Sequence, residues 1–483
     1  TRGELAARSA ALAAGLRAGG VRPGDLVAVT MPNLAWWPVV ALGVWRAGAV
    51  ISPISPLWTA DEAARVLARA APRAAIAFAP LARSMRGALA SAGLHNVDLA
   101  VLGGDAGEAT PIEALLALGA GDPYAEPDLG PDDLAAVPFS SGTGGLPKGV
   151  RLTHGNLAAA AEQGATAFRA GGDYDERSIV LAAAPFFHSI GLTLMLCAPL
   201  RLGAQIVTLP RPALEPLLEL VAAHRVTHVA VPPPLFDALA ADPRVDEHDL
   251  SSVRLVTTGG AHMHPDVEQA LSDRLGCVAR QGYGATETTC TISAPLGRPS
   301  TPGTVGWLMP GTEARLIDPE TGVDVEPGEP GELWVRGPQV MQGYHGLPED
   351  TASAITPDGW LRTGDLVAIR DDGQLEIRDR LKELIKVNGA SVAPAEIELV
   401  LRRHPAVRDA GVVGVPDADR GEAPVAFVAL DAPAEASELE DFAAARLARY
   451  KRPREIVIVD EVPRVPTGKL LRRALRERAL ARA

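Results

Sequence analysis

FSSGTGGLPKG, residues 139–149, follows an apolar segment at 134–138 and has the composition of a phosphate-binding loop. Its glycines let backbone N–H groups approach phosphate oxygens, its Ser and Thr residues add hydroxyl donors, and Lys148 adds a mobile positive charge. A Walker P-loop has Gly immediately before the Lys and Ser or Thr immediately after it, whereas Lys148 lies between Pro147 and Gly149. The sequence therefore predicts a phosphate loop of another kind.

Helix-like and strand-like patterns alternate on both sides of this loop. An Ala/Leu/Arg pattern at helical spacing runs from 3 to 18 and ends at a Gly pair, and a β-branched strand pattern follows from Asp25. The same alternation recurs at 36–51, 60–79, 213–231 and 265–281. It predicts βαβ units with largely parallel, buried sheets, so the expected fold class is α/β.

Two later regions have different patterns. Between 297 and 346, short strands are punctuated by Gly and Pro, which predicts a small antiparallel β-subdomain. The last hundred or so residues predict a compact α+β unit with helices at 394–404 and 435–448 and strands at 406–415 and 423–430. We therefore expect a large N-terminal domain at 1–379 and a small C-terminal domain at 380–483, joined at a charged tract.

Composition excludes several function classes. The 483 residues carry a net charge of −13, which argues against nucleic acid or an anionic membrane surface as partner, because both need a clustered basic surface. The three cysteines show neither CxxC spacing nor an even count, so we expect no disulfide framework or zinc site and a reducing, cytoplasmic compartment.

One apolar run, at 179–200, is long enough to cross a bilayer. Two prolines, a glycine and His188 interrupt it, so we expect a buried strand at 179–184, a loop and a buried helix in place of a membrane span.

The basic residues are unevenly chosen. Of 46 Lys and Arg residues only five are Lys, namely Lys148, Lys382, Lys386, Lys451 and Lys469. In a chain that uses Arg wherever either cation serves, these lysines are candidates for sites that need a compact ammonium. Taken alone, the presence of these five lysines is explained equally well by chance, and only the surrounding motifs favour a functional explanation.

Four further motifs occur in a fixed order after the phosphate loop. They read QGYGATE at 281–287, GWLRTGDL at 359–366, DRLKELIKVNG at 379–389 and PTGK at 466–469. Together with the loop they resemble the motifs of the adenylate-forming superfamily, which includes acyl-CoA synthetases, coumarate:CoA ligases, firefly luciferase and peptide-synthetase adenylation domains. The resemblance covers essentially the whole chain.

This resemblance implies a nucleotide site and its metal. Tyr283 would stack on the adenine, Asp365 and Arg380 would contact the ribose, and Glu287, a hard oxygen ligand, would bind Mg²⁺. A buried Tyr or a solvated Glu or Asp is the ordinary alternative for each residue taken alone. The full implied ATP/AMP-binding set is Ser140, Ser141, Gly142, Thr143, Lys148, Gly259, Gly260, Ala261, Tyr283, Gly284, Thr286, Asp365 and Arg380.

The resemblance also implies the catalytic, acyl and CoA residues. Lys469, Lys386 and His188 are the catalytic candidates, and His188, which in an apolar run is more often a core histidine, is favoured for gating and positioning. The acyl pocket would be lined by His188, Ile190, Leu194 and Gly284. The resemblance implies that the small domain is mobile and rotates about a hinge at Lys382. After this rotation Gly389 would lie on the CoA side.

The expected activity is that of an AMP-forming carboxylate:CoA ligase, an acid–thiol ligase with ATP, Mg²⁺ and CoA as cofactors. It would activate an apolar aryl or fatty acid, as in fatty acid or phenylpropanoid metabolism, and act as a monomer or homodimer.

Three departures leave alternatives open. Gly144 replaces a usual Ser or Thr, Ser391 replaces a frequent Gln, and Ile190 replaces the Tyr of plant coumarate ligases. An adenylation enzyme that loads a carrier-protein thiol is the main alternative. A luciferase-type monooxygenase and a non-catalytic binding paralogue are less favoured.

Overall fold

The computed structural model describes residues 1–107, 109–120, 125–140, 147–261, 263–326, 328–388, 390–417, 420–464 and 468–482. Its α/β architecture confirms the predicted fold class.

The first sheet carries the phosphate loop at one side. Its central strands are parallel, and Lys148–Thr153, the phosphate-loop strand, pairs antiparallel with Leu134–Ala136 and with Gly343–Tyr344. In spatial order the described strands are Gly343–Tyr344, Lys148–Thr153, Leu134–Ala136, Val50–Pro53, Leu26–Thr30, Ala74–Phe78, Asp98–Leu102 and Thr110–Pro111, with Phe139–Ser140 beside the phosphate-loop strand. The accompanying helices are Arg2–Ala18, Trp36–Arg46, Ala60–Ala70, Ala79–Ser91, Ile112–Gly119 and His154–Phe168.

A capping box fixes the exit from the phosphate-loop strand. Thr153 Oγ1 accepts from the Asn156 N–H at 3.0 Å, and Asn156 Oδ1 accepts from the Thr153 N–H at 2.9 Å, so helix His154–Phe168 begins there. Asn156 Nδ2 also donates to the carbonyls of Pro338 and Val340, at 2.7 and 2.9 Å. Those bonds hold the approach to strand Gly343–Tyr344 beside the phosphate loop.

The second sheet is parallel throughout, as buried hydrophobic strands predict. Its order is Gln205–Thr208, Ile179–Ala182, His228–Ala230, Leu255–Thr258 and Val278–Gln281. Helices Leu214–His224, Pro233–Ala241 and Pro265–Leu275 lie between its strands in sequence. Strand Ile179–Ala182 is shorter than predicted, and the apolar run continues into a π-helical turn, Gly191–Cys197, and helix Ala198–Leu202. Among the described residues, no helix combines the length and apolarity needed to span a membrane.

The antiparallel subdomain has different bounds from those predicted. Its four strands are Glu313–Ile317, Gly331–Arg336, Leu361–Ile369 and Leu375–Arg380, so the sheet extends well past residue 346. Gly343–Tyr344 pairs instead with the first sheet, because its backbone bonds go to the phosphate-loop strand. Short strands Ser293–Ala294 and Trp307–Leu308 pair separately, and helix Pro348–Ala354 follows Tyr344.

The C-terminal residues have their own sheet and apolar clusters. The strand order is Ala390–Val392, Ile385–Val387, Gly421–Leu430 and Val407–Asp417, with Glu455–Val459 parallel to Gly421–Leu430. Helices Pro394–Arg402, Ala436–Ala444 and Arg472–Leu480 cover it. Helices and strands lie within a few residues of their predicted bounds, whereas the domain boundary at 379/380 stays a prediction.

Glu268 joins the second sheet to the loop that follows it. The side chain is fully buried, Oε1 accepts from the Gln281 N–H at 2.7 Å, and Oε2 accepts from the Gly303 N–H at 2.6 Å. One carboxylate thus accepts from two backbone N–H groups, one of them that of Gln281, the first residue of the QGYGATE motif.

We predict that Glu268→Gln destabilises the fold by about 1–3 kcal/mol, because the amide NH₂ then faces one of the two backbone N–H groups, and neither that N–H nor the NH₂ has an acceptor there. Chemical denaturation measures the change. Glu219→Gln, an exposed substitution on helix Leu214–His224, is the matched control and should leave the unfolding free energy within about 0.5 kcal/mol. Equal stabilities of the two variants would contradict the prediction.

Candidate active site

The phosphate loop is described only at its two ends. Ser140 and Lys148 face each other across an antiparallel pair, with Ser140 Oγ 3.5 Å from the Lys148 carbonyl oxygen. Lys148 forms an ion pair with Asp350, and its ammonium lies 4.9 Å from the centre of the Tyr344 ring. The predicted residues Ser141, Gly142 and Thr143, and Gly144 beside them, lie outside the described residues.

Small residues follow two neighbouring strands of the second sheet, where backbone segments approach each other closely. Gly259, Gly260 and Ala261 follow strand Leu255–Thr258, and a side chain at Gly259 would come within 3.0 Å of a backbone oxygen. At Gly284 a Cβ would lie 1.8 Å from the Cys290 carbonyl oxygen, so only Gly fits there. Close backbone packing therefore leaves no space for a side chain at Gly284 and little at Gly259.

Tyr283, Asp365 and Arg380 form one cluster around the buried carboxylate of Asp365. The Tyr283 hydroxyl donates to Asp365 Oδ2 at 2.5 Å, and Arg380 Nε lies 3.0 Å from Asp365 Oδ1. Asp365 and Arg380 are register partners on neighbouring strands of the antiparallel sheet, and Asp365 is only 4% exposed. Burial and the adjacent carboxylate raise the pKa of Tyr283 well above its usual value, so the phenol remains a donor.

Glu287 is linked to Lys148 through the side chain of Tyr344. Together with Thr286 it lies in the short turn Thr286–Thr288, its carbonyl accepts from the Met341 N–H at 2.9 Å, and its Oε1 accepts from the Tyr344 hydroxyl at 2.9 Å. No group of three or more His, Cys, Asp or Glu residues in the described part of the chain could hold a metal alone. A single carboxylate fits Mg²⁺, which usually binds one or two carboxylates together with substrate phosphates and waters.

Lys469 lies at the meeting point of the C-terminal unit and the rest of the chain. Gly468, at φ +83°, is so close to Pro233 and Pro234 that a Cβ would approach them to 3.0–3.1 Å, which seats the loop on helix Pro233–Ala241. Arg464 holds the loop from the other side, because it donates to the Gly468 carbonyl at 2.5 Å and pairs with Asp409 at 2.8 Å.

The surroundings of Lys469 shift its titration. Burial, and after it the charge of Arg380, lower the pKa of Lys469 to about 8, although Glu383 and Asp365 act in the opposite direction. Lys469 is thus within electrostatic reach of the Tyr283–Asp365–Arg380 cluster. The structure brings together the PTGK motif and the GWLRTGDL motif, which lie about 100 residues apart in sequence.

Lys382 lies in the turn Leu381–Glu383 between strand Leu375–Arg380 and the C-terminal sheet. Glu383 accepts from Arg472 Nε at 2.7 Å, and Arg472 also pairs with Glu398 at 2.5 Å. Asp379, on the other side of the turn, accepts from the Ala395 N–H at 3.1 Å at the start of helix Pro394–Arg402. The predicted hinge is therefore bridged by polar contacts on both sides.

Lys386 does not join this group. Its ammonium donates to Ser391 Oγ at 2.7 Å and lies 3.9 Å from Glu320, with more than half of the side chain exposed. Gly389, the predicted CoA-side residue, lies outside the described residues. The catalytic role of Lys386 stays a prediction.

The predicted acyl residues lie around the π-helical turn. Leu194 is nearly buried and contacts helix His154–Phe168 at Gly164, whereas Ile190 and His188 are partly exposed. The His188 ring lies 4.5 Å from the Phe187 ring, and removal from water lowers the pKa of His188 to about 4. His188 is therefore neutral at pH 7 and offers no cation to a ligand.

Sequence reasoning missed the contacts that link these motifs. Thr193 Oγ1 donates to the Thr289 carbonyl at 2.9 Å, beside the left-handed residues Thr289 and Cys290 at φ +53° and +114°. Positive φ at non-Gly residues marks backbone strain near a functional site. The positive-φ turn had no sequence signal, because neither residue is Gly, Asn or Asp.

Family models match most of the chain. The model described as AMP-binding enzyme covers residues 1–345, and the model described as AMP-binding enzyme C-terminal domain covers residues 396–469.

Individual proteins match over nearly the whole chain as well. 4-Coumarate–CoA ligase 3 of Oryza sativa subsp. japonica is 35% identical, with 100% of this chain and 87% of the relative aligned. The ATP-bound structure of MatB from Rhodopseudomonas palustris superposes with a TM-score of 0.90 at 31% identity over 99% of this chain and 93% of that one. A benzoate CoA ligase from Burkholderia xenovorans superposes with a TM-score of 0.86 at 31% identity over 99% and 94% of the two chains.

We predict that kcat/KM for ATP in pyrophosphate exchange falls as the pH rises above about 8, because Lys469 then loses its charge. Lys469→Arg should be slower at pH 7 but show no such decline between about pH 7 and 9.5, since a guanidinium stays protonated there. Pyrophosphate exchange across that pH range measures both. The same decline in both proteins would assign the titration to another group.

Proposed function

The chain belongs to the AMP-binding enzyme family, and from that premise we propose that it is an AMP-forming carboxylate:CoA ligase acting on an apolar aryl or fatty acid. ATP and CoA are its cosubstrates, and the reaction has two steps. The carboxylate first attacks the α-phosphorus of ATP, forming an acyl–AMP anhydride and releasing pyrophosphate. The CoA thiol, as thiolate, then attacks the acyl carbon, forming the thioester and releasing AMP.

The observation that carries this proposal is the position of Lys469. Gly468 of the C-terminal unit is seated on Pro233 and Pro234, and the Lys469 ammonium is within electrostatic reach of Asp365 and Arg380, the two residues expected to contact the ribose. In the first step negative charge builds up on the oxygens around the α-phosphorus and on the departing pyrophosphate. A fixed cation at that place stabilises the transition state, typically by about 10²- to 10³-fold in rate.

The nucleotide would be held by the groups around Lys469. Tyr283 and the glycines at 259, 260 and 284 would line the adenine, Asp365 would accept from ribose hydroxyls, and Lys148 would pair with the pyrophosphate end. Glu287 would hold Mg²⁺, which neutralises phosphate charge when bound. Each assignment extends the family resemblance to a described residue with suitable chemistry.

The second step requires Lys469 to leave. Rotation of residues 383–483 about Lys382 would withdraw the ammonium and bring strand Ile385–Val387, with Lys386, toward the thioester site. Such a rotation must break the contact of Asp379 with helix Pro394–Arg402, while Glu383 and Arg472 would move together as part of the rotating unit. A few hinge residues that absorb a large change in φ and ψ are typical of domain rotation.

The acid is proposed to be apolar because the described acyl residues carry no charge. Ile190 and Leu194 are aliphatic, and His188 is neutral at pH 7. Burying a second carboxylate among them without a partner would cost roughly 2–7 kcal/mol or more.

We predict that benzoate-like or octanoate-like acids give higher kcat/KM in ATP:pyrophosphate exchange than malonate or succinate. A panel of carboxylates in that exchange assay tests the activity and the acid class together, and AMP release on addition of free CoA tests the acceptor. A preference for the dicarboxylates would refute the acid class. An absence of exchange with every acid would refute the ligase.

We also predict that Lys382→Pro retains adenylate formation but loses thioester formation, because a φ fixed near −65° restricts the rotation. Lys382→Ala is the control and should support both steps. Single-turnover assays of each half-reaction measure the difference. Equal losses in both half-reactions, in a folded Lys382→Pro protein, would contradict a hinge at this residue.

A further inference from the structure

Four side chains form a continuous chain of polar contacts beside the phosphate loop. Asp350 pairs with the Lys148 ammonium, the ammonium lies 4.9 Å from the centre of the Tyr344 ring, and the Tyr344 hydroxyl donates to Glu287 Oε1 at 2.9 Å. The proposed phosphate cation and the proposed metal ligand thus touch the same tyrosine. Neither Tyr344 nor Asp350 belongs to the motifs assigned above.

The fold holds this tyrosine firmly between the two functional groups. Tyr344 is the register partner of Val150 on the phosphate-loop strand, and its N–H donates to Thr351 Oγ1 at 2.9 Å. The nearby Met341 N–H donates to the Glu287 carbonyl. Residues 341–351 therefore bridge the strand that carries Lys148 and the turn that carries Glu287.

Asp350 forms an ion pair with Lys148 in which a phosphate oxygen can replace the carboxylate. The two side chains are 37% and 35% exposed, so water and ligands reach the pair. Ion pairs this exposed typically contribute about 0–1 kcal/mol, which a polyphosphate with several negative charges readily exceeds. Asp350 contacts the Lys148 ammonium through one anionic oxygen, as a phosphate group would.

Tyr344 acts on both groups through different parts of one side chain. Its hydroxyl donates to the Glu287 carboxylate. The ring face attracts the Lys148 ammonium as an aromatic quadrupole attracts a cation. Tyr344→Phe removes the contact with Glu287 and keeps the ring contact with Lys148, so the two contacts can be tested separately.

We propose that Asp350 is a stand-in for nucleotide phosphate that holds Lys148 over Tyr344 until ATP or pyrophosphate displaces it, and that Tyr344 positions Glu287 for the metal. Both are positioning residues, because they act through Lys148 and Glu287. The inference rests on the proposed function, since it takes the incoming phosphates to be those of ATP.

The test is direct binding of ATP and of pyrophosphate, with and without Mg²⁺, measured by isothermal titration calorimetry. Asp350→Asn should tighten the binding of both ligands by about two- to five-fold whether or not Mg²⁺ is present, because Lys148 no longer has to leave a carboxylate. Glu349→Gln removes the same charge from the adjacent exposed residue and should change neither affinity.

Tyr344→Phe should weaken ATP binding by about threefold or more in Mg²⁺ and leave it unchanged without Mg²⁺, because only the contact to Glu287 is lost. Tyr450→Phe, at an exposed tyrosine of the C-terminal unit, is the control and should bind as the wild type does. Melting temperatures within a few degrees of the wild type exclude a general loss of structure.

The outcomes separate the two proposals. Weaker binding by Asp350→Asn, equal tightening by Glu349→Gln, or a loss by Tyr344→Phe that does not depend on Mg²⁺ would each overturn the inference. A wild-type protein that binds ATP but is matched by all four variants overturns it too, while the proposed function stands. A wild-type protein that binds neither ATP nor pyrophosphate refutes the proposed function and this inference with it.

Discussion

The arrangement of the site depends on one buried carboxylate, Asp365. At 4% exposure it must be paired, and its partners, Tyr283 and Arg380, come from two different parts of the chain. Tyr283 belongs to the loop after the second sheet, and Arg380 ends the antiparallel sheet two residues before Lys382. Asp365 therefore fixes the position of the loop that carries Tyr283 relative to the predicted hinge. It also contributes to the field that acts on Lys469.

The contact between the C-terminal unit and the large unit bears on the proposed rotation. Its contact with the large unit at Gly468 is one of shape, a glycine against two prolines. The proposed domain rotation would have to break this contact. In contrast, Arg472 pairs with both Glu383 and Glu398, so the segment after the predicted hinge is tied to the C-terminal sheet.

The sequence predicted the fold class, the alternating elements and the order of the motifs, because each depends on local pattern. It failed where the structure depends on partners far apart in sequence. Asp350 lies 202 residues from Lys148 and has no motif of its own, and the antiparallel sheet takes in strands at 361–380 beyond its predicted end. The roles of the predicted site residues stay predictions, and those at 141–143 and 389 lie outside the described residues.

The most direct measurement is the rate of each half-reaction in Lys469→Ala. The account predicts that adenylate formation falls by at least about 10²-fold, while thioester formation from chemically supplied acyl-AMP changes far less, because the ammonium acts only in the first step. Equal losses in the two half-reactions, or an unchanged first step, would contradict the role given to Lys469.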